Sequence, residues 1–365
     1  MTARAAPAPP AFGRFFLPGP TDVHPEVMAA MQRPMIGHRS GAMEQLLAGF
    51  EAPLGRLFRT ARPVLVGTTS ATGFMEMAVR NGVRHRALSI VNGSFSERFA
   101  NIVRACGKEC IRLDVPLGCA VEPDMLRDTL RRTPVDAVTV VHSETSTGVL
   151  QDVEALATVV REFDDVLLLV DAVTSLAGSP VETDRWQLDF ALTGSQKALA
   201  LPPGLALGVA SERMLERART LPARGLYFDL VSFLEATTKH QPTNTPAIPL
   251  LFALEAQLGR IEREGGVEGR WARHDAMRRR VEDWAERRGV AYLPREGRRS
   301  WTVSCLKVPE GKGAKQIVGA LKQAGWTIGS GYGSLKESTI RIGHMGDHTV
   351  AALDELLGLL EGLVA

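Results

Sequence analysis

Lysine is scarce in this chain. Of its 43 basic residues only eight are lysines, and the other thirty-five are arginines. Cysteine occurs four times and tyrosine three times in 365 residues. The cysteines (Cys106, Cys110, Cys119 and Cys305) show no zinc spacing. Cys106 and Cys110 stand one helical turn apart, but no second Cys or His pair accompanies them. Buried free thiols in a reducing compartment are the expectation. No apolar run reaches the roughly 18 residues that a membrane span needs. Neither charge sign dominates, with 43 basic against 41 acidic residues and a formal net charge of +2. That balance offers no basic face to nucleic acid and no polyanionic face to a cationic partner. Residues 1–14 are rich in alanine and proline. They lack the apolar core of a signal peptide, and their prolines oppose an amphipathic transit helix. A loose tail on a cytoplasmic protein is expected.

What the chain does contain is a regular alternation. Short apolar runs at 64–67, 87–91, 110–115, 137–142, 166–171, 190–193 and 206–210 have the length of buried strands. Amphipathic stretches separate them. Val153, Leu156, Val159, Val160 and Phe163 fall on one helical face, with Asp152 placed to cap its start. Strands alternating with helices imply an α/β fold with a seven-stranded, mainly parallel sheet flanked by helices. Beyond about residue 250 the pattern changes. Charged helices at 248–264 and 268–288 precede a strand near 302–308, a helix from Ala314, a strand at 339–342 and a helix from Asp347. We therefore expect a tail (1–14), an N-terminal arm with the large domain (15–250) and a smaller α+β domain (251–365). In open α/β sheets ligands bind at the carboxyl ends of the strands, so residues just after the apolar runs are the candidates for chemistry.

Lys197 is the only lysine between residues 109 and 238. It follows the apolar run 190–193, where a side chain is expected to be partly buried. A chain that prefers arginine elsewhere has reason to keep lysine where an amine must lose its proton and attack a carbonyl, because arginine cannot do this. Residue type alone leaves open a chance lysine on a loop. Asp171 closes the run Val166–Val170, which has no polar alternation and is expected to be buried on both faces. An acid there needs a partner. A protonated pyridine nitrogen in a cofactor is one such partner, and a capping role is another. The segment Gly67-Thr68-Thr69-Ser70-Ala71-Thr72-Gly73 follows a strand and opens an apolar helix. Its N–H groups and hydroxyls make a candidate anion cradle. It is not a Walker loop, because no Gly-Lys-Ser/Thr occurs in it.

Together these segments resemble the class V, fold-type I, pyridoxal-5′-phosphate (PLP) dependent aminotransferases, in particular the alanine/serine–glyoxylate group. The resemblance runs over about residues 15–362. It is carried by Pro18-Gly19-Pro20-Thr21, Ser70-Ala71-Thr72, Val91-Asn92-Gly93, Ser143-Glu144-Thr145-Ser146-Thr147-Gly148, Leu169-Val170-Asp171-Ala172-Val173, Gly194-Ser195-Gln196-Lys197, Asn244-Thr245-Pro246 and Arg341-Ile342-Gly343.

The resemblance implies a role for each matching residue. Lys197 becomes the Schiff-base lysine and proton carrier, and Asp171 the partner of the ring nitrogen. Phe95 stacks on one cofactor face, where a relative carries Trp, and Val173 covers the other. Thr145 and Gln196 face the phenolic oxygen. Ser70, Ala71 and Thr72 hold the phosphate, joined by Asn244 and Thr245 of a neighbouring subunit, which implies a homodimer with shared active sites. Arg341 clamps the substrate α-carboxylate, with Thr21, His38 and Arg39 on the substrate side. The expected reaction moves an amino group between alanine or serine and glyoxylate or pyruvate. A phosphoserine aminotransferase is the alternative, because a His-Arg pair like His38-Arg39 helps to bind substrate phosphate in those enzymes. A PLP lyase or desulfurase ranks lower, since the only cysteine in the C-terminal region, Cys305, lies in a strand-like run. The intact Lys197 and Asp171 argue against a non-catalytic relative. The stretch Gly329–Gly333 is misplaced for a dinucleotide fingerprint and is expected as a flexible loop on the substrate side.

Overall fold

The computed structural model describes residues 11–364. Its strands, in chain order, are β1 (Phe15–Phe16), β2 (Leu65–Thr68), β3 (Arg86–Val91), β4 (Glu109–Asp114), β5 (Ala137–Val141), β6 (Ser143–Glu144), β7 (Val149–Leu150), β8 (Leu167–Asp171), β9 (Phe190–Gly194), β10 (Leu205–Ala210), β11 (Ser304–Lys307), β12 (Thr327–Ser330) and β13 (Thr339–Ile342). All seven expected runs pair into one sheet of order β2-β10-β9-β8-β5-β3-β4. Only β10 runs against its neighbours; the pairs from β9 through β8, β5 and β3 to β4 are parallel. The central strands β5, β8 and β9 are buried along their whole length, as their unbroken apolar sequence requires, because helices cover both faces.

Two apolar cores flank this sheet. One gathers Leu88, Val138, Leu168, Val170 and Leu207 with helix residues such as Leu156 and Phe252. The other gathers Leu65, Leu167, Leu169, Phe190 and Leu192 with Phe74, Phe99 and Met214. The alternation of Leu167, Leu168, Leu169 and Val170 between these two clusters follows the period-2 geometry of a strand.

A second sheet, ordered β1-β12-β13-β11, has its own core of Phe16, Leu306, Ile328, Ile340, Ile342, Trp284 and Leu353. Two of its strands are not evident as apolar runs. β12 is the four-residue Thr327–Ser330, and β1 is two residues of the N-terminal arm. The expected boundary groups that arm with the large unit. Phe15–Phe16 instead pairs in parallel with β12, because Phe16 is fully buried in the C-terminal core and stacks on His348 at 3.9 Å. The helix Gly266–Arg288 joins the two units. Its early residues Val267 and Trp271 enter the first core, and its later residues Met277, Val281 and Trp284 enter the third.

Of the expected tail, residues 1–10 lie outside the described residues. Residues 11–14 form a turn in which the Gly13 N–H donates to Asp22 at 2.8 Å and Arg14 lies over Trp326 at 5.3 Å. No helix among the described residues is long and apolar enough to cross a membrane.

Candidate active site

The sheet brings the candidate residues to one edge. Asp171 is the last residue of β8 and pairs across to Val141 of β5 and Leu192 of β9. Lys197 follows the end of β9, and Thr145 follows β6. Phe95 stands in the first turn of the helix Ser94–Ala105, just beyond β3. From the other side the small sheet contributes Arg341 of β13 and Ser330 of β12. Between the two sheets lies a cavity of about 340 Å³ whose walls include Pro18, Phe95, Thr145, Lys197, Tyr332 and Arg341.

Lys197 is 6% exposed. Its Nζ donates to the Pro18 carbonyl and lies 5.6 Å from the centre of the Phe95 ring. Burial pushes its ammonium down to about 8, aided by the positive charge of Arg341 and opposed by Asp171. A lysine so placed releases its proton near neutral pH. Gly19 presses against it. With φ at +100°, a Cβ there would stand 2.5 Å from Nζ, so only glycine leaves the lysine its place.

Asp171 is 3% exposed and accepts one hydrogen bond, from the Val173 N–H at 2.7 Å. Burial pushes its carboxyl up to about 7, against the lowering effect of that N–H. Among the described residues this buried carboxylate makes no ion pair within its own chain, and a protonated ring nitrogen would supply one.

The anion cradle has the geometry its sequence suggests. Ser70 is the N-cap of the helix Ala71–Gly82, with extended backbone at φ −74°, ψ 159°, yet its side chain makes no capping bond. The hydroxyl is thus left for another acceptor or donor. The N–H groups of Ala71 and Thr72, first in the helix, have no intrahelical carbonyl to bond. Ala71 also approaches the lysine segment: the space beside Gly194 is closed by Gln196 Oε1 and the Ala71 Cβ, at 2.7 and 3.1 Å from where a Cβ would lie. A phosphate at this helix end, a ring over Asp171 and an aldehyde at Lys197 suit one extended anionic cofactor, and PLP has those three groups.

Thr145 is buried, with its Oγ1 2.6 Å from that of Thr174. Its carbonyl accepts from Arg341 Nη1 at 3.2 Å, while Arg341 Nε donates to the Ser330 carbonyl at 2.9 Å. Both bonds go to backbone carbonyls and neither to a carboxylate. Burial lowers the Arg341 pKa, and a carboxylate ligand would relieve that cost. Thr21 is buried beneath the lysine, its N–H bonded to the Gln196 carbonyl at 3.1 Å and its Oγ1 to the Lys197 carbonyl at 3.1 Å. It braces the loop and does not line the cavity. Val173 is half-buried beside Asp171.

Four expected residues stand apart. His38 and Arg39 precede the helix Gly41–Ala48 and are half-buried and exposed, respectively. Asn244 and Thr245 are exposed and border a different, largely apolar groove of about 560 Å³ beside Thr68, Phe50 and Leu251. None of the four lines the Lys197 cavity.

Glu144 has no role in the sequence reading beyond membership of a motif. It is fully buried, and its carboxylate accepts from the N–H groups of Phe95 (3.2 Å), Ser96 (2.8 Å) and Ser146 (3.1 Å) and from both serine hydroxyls. The helix Ser94–Ala105 has Gly93 as its N-cap and no cap of its own. Glu144 therefore closes that helix from outside, where a negative charge is favoured, and fixes Phe95 above the cavity. The signal was an acid set between hydroxyl residues at a strand end, with no basic residue nearby to pair it.

The family model for "Aminotransferase class-V" matches residues 93–354. An uncharacterized aminotransferase of Methanocaldococcus jannaschii is 38% identical over 90% of this chain and 87% of its own length. The serine–glyoxylate aminotransferase of Arabidopsis thaliana is 32% identical over 95% of this chain and 88% of its own. In structure, the aspartate aminotransferase of subgroup IV from Thermus thermophilus superposes with a TM-score of 0.88 at 33% identity, covering 96% of this chain and 98% of that one. The depressed lysine, the buried acid and the open helix end at one sheet edge thus belong to a fold shared with known transaminases, and this chain is a member of the class V aminotransferases, which use pyridoxal phosphate.

Proposed function

We propose that the enzyme transfers the amino group of a small uncharged amino acid, alanine or serine, to a short 2-oxo acid, glyoxylate or pyruvate. The observation that carries this reading is the lining of the cavity. Among the described residues Arg341 is the only arginine that lines it, since Arg98, 5.0 Å over the Phe95 ring, does not, and Arg341 supplies one guanidinium for one α-carboxylate. A dicarboxylate or a phosphorylated donor would bring a second anion to a wall that holds no second arginine.

Pyridoxal phosphate, when bound, supplies a conjugated ring that takes up the electron pair left when the substrate Cα gives up its proton. Lys197 Nζ carries that proton, since burial sets its affinity near neutrality. Asp171 would hold positive charge at the ring nitrogen. Ser70, Ala71 and Thr72 would bind the phosphate at the helix end. Phe95, fixed by Glu144, and Val173 would hold the ring, and Thr145 and Gln196 would serve its phenolic oxygen. Arg341 orients the substrate so that its Cα lies within reach of Nζ.

The same reading makes the active unit a homodimer. Asn244 and Thr245 are exposed and lie outside their own chain's Lys197 cavity. In a shared site they reach the phosphate held by the other subunit. Phosphoserine as donor is the second reading, and it requires Arg39 of a partner copy, because Arg39 of this chain is exposed and outside the cavity.

Steady-state turnover with glyoxylate and, in turn, alanine, serine, aspartate and phosphoserine tests the donor. Alanine or serine is expected to give the highest kcat/KM. A preference for phosphoserine that Arg39→Ala reduces by roughly tenfold to a hundredfold would establish the second reading, and a preference for aspartate would overturn both.

A further inference from the structure

We infer that Tyr332 is a specificity-determining residue: its ring is the partition that keeps the donor side-chain space short. The inference rests on the small-donor reading above. Tyr332 stands in the connection between β12 and β13, the stretch that the sequence suggests is a flexible loop. The structure instead pins it. The Gly331 N–H donates to the Thr339 carbonyl at 2.7 Å, and a Cβ on Gly331 would lie 1.9 Å from the Leu335 carbonyl oxygen. A short 3-10 turn, Gly333–Leu335, follows directly. The backbone on either side of Tyr332 is thereby set, and the ring is carried to one place.

That place is between two cavities. The ring lies 5.7 Å from that of Phe95, tilted by 37°, and 5.6 Å from the Arg341 guanidinium carbon. Tyr332 lines the 340 Å³ cavity that holds Lys197 and Arg341. It also lines a second cavity of about 360 Å³, walled by Asn92, Ser94, Arg112, Leu117, Ser146 and Leu335. Lys197 and Arg341 line the first cavity and not the second. A donor held by its carboxylate at Arg341, with its Cα at Lys197, lies in a cavity walled by the Tyr332 ring 5.6 Å from the guanidinium carbon, and we take that ring as the limit of its side-chain space. A methyl or hydroxymethyl group fits in front of that wall; a chain two or three carbons longer meets the ring.

Beyond the ring, among the described residues, the lining of the second cavity offers no free cation, since its one arginine, Arg112, is already paired with Glu97 and with Asp114, each at 2.6 Å. It therefore favours an uncharged chain over an anionic one. Shortening Tyr332 joins the two spaces and gives a longer neutral donor room it lacks in the wild type. The ring, and not its hydroxyl, forms the wall, so phenylalanine should preserve it.

The test compares L-norvaline with L-alanine as donors, both with glyoxylate, in PLP-loaded wild type and in Tyr332→Ala, Tyr332→Leu and Tyr332→Phe. The quantity read is the ratio of kcat/KM for norvaline to that for alanine. Tyr332→Ala is expected to raise it about tenfold or more, which is the lower end of what one misfitted methylene costs in a tight pocket. Tyr332→Leu should fall between, and Tyr332→Phe should stay within about twofold of wild type. Because Tyr332 is 42% exposed, its truncation should leave the core intact; if Tyr332→Ala does not fold, Tyr332→Leu decides. An unchanged ratio in the folded truncation variant would overturn the partition. So would a rise in Tyr332→Phe equal to that in Tyr332→Ala, which would assign the effect to the hydroxyl. The wild-type donor ranking tests the small-donor reading separately, since the partition is scored only on the change in ratio between variants.

Discussion

The cavity has two walls of different origin. The large-sheet wall carries Asp171 and Lys197 on the ends of two neighbouring strands, β8 and β9, whose residues are all buried. The small-sheet wall carries Arg341 on β13, which is likewise buried along its four residues, and Tyr332 in the connection from β12, partly in solvent. Burial on the first wall shifts proton affinities: the lysine falls to about 8 and the acid rises to about 7. On the second, burial lowers the Arg341 pKa as well, and two carbonyl bonds direct its guanidinium. On the proposed reading, proton chemistry belongs to the large sheet and substrate choice to the small one. The first should resist any substitution, and the second should permit changes of ranking without loss of the reaction.

The largest effect is expected on the first wall. Lys197→Arg places a permanent cation where a proton carrier is required, so turnover should fall on the order of 10⁴-fold. Borohydride treatment of the wild type followed by peptide mapping should place the cofactor on Lys197. Label on any other lysine would break the assignment. Asp171→Asn should come next, with kcat lower by about 10²- to 10³-fold, PLP still bound and the circular dichroism of the fold unchanged. Near-normal turnover would reduce Asp171 to a cap for the Val173 N–H.

On the second wall, Arg341→Ala removes a charge-assisted bond, which contributes on the order of 1.5–3 kcal/mol. KM for donor and acceptor should therefore rise together, by roughly tenfold to a hundredfold, with kcat much less affected. A fall in kcat with KM unchanged would place Arg341 among the proton-transfer groups and erase the distinction between the walls.

The two walls also differ in how much of them could be read from sequence. Strand β8 announces itself, because five residues ending in Asp171 interrupt their apolar character only at the last. Lys197 stands out against a background of arginine. Both signals are local: burial and composition over a few residues. Tyr332 carries no such mark, because its position depends on how Gly331 meets Leu335 and on where Phe95 lies, more than 230 residues earlier in the chain. Strand β1 is missed for the same reason. Two phenylalanines in a proline-rich arm make no pattern until β12 provides their partner. The resemblance puts Thr21 on the substrate side, but its hydroxyl is turned to the Lys197 carbonyl.

The last expected effect is on stability, and it is the most direct measure of what burial of the large-sheet wall costs. In the cofactor-free protein the Asp171 carboxyl has a pKa near 7, above its unfolded value near 3.8. Between these two values the folded state holds a proton that the unfolded state has lost. Stability therefore declines as pH rises through this window, and the decline is complete above about 7. Asp171→Asn cannot ionise and removes this decline. The variant should thus be more stable than wild type in urea at pH 8, with its advantage shrinking as pH falls toward 4. Lys197 has the opposite slope in a separate window: its pKa falls from 10.5 to about 8, so stability recovers as pH rises from about 8 toward 10.5. The Asp171 comparison at and below pH 8 is for that reason only weakly mixed with the lysine. With PLP bound the order should reverse at pH 8, because the ring nitrogen then gives the carboxylate the cation it lacks. An asparagine variant whose advantage is independent of pH, or persists with PLP bound, would show that burial of Asp171 is not the cost the cofactor relieves.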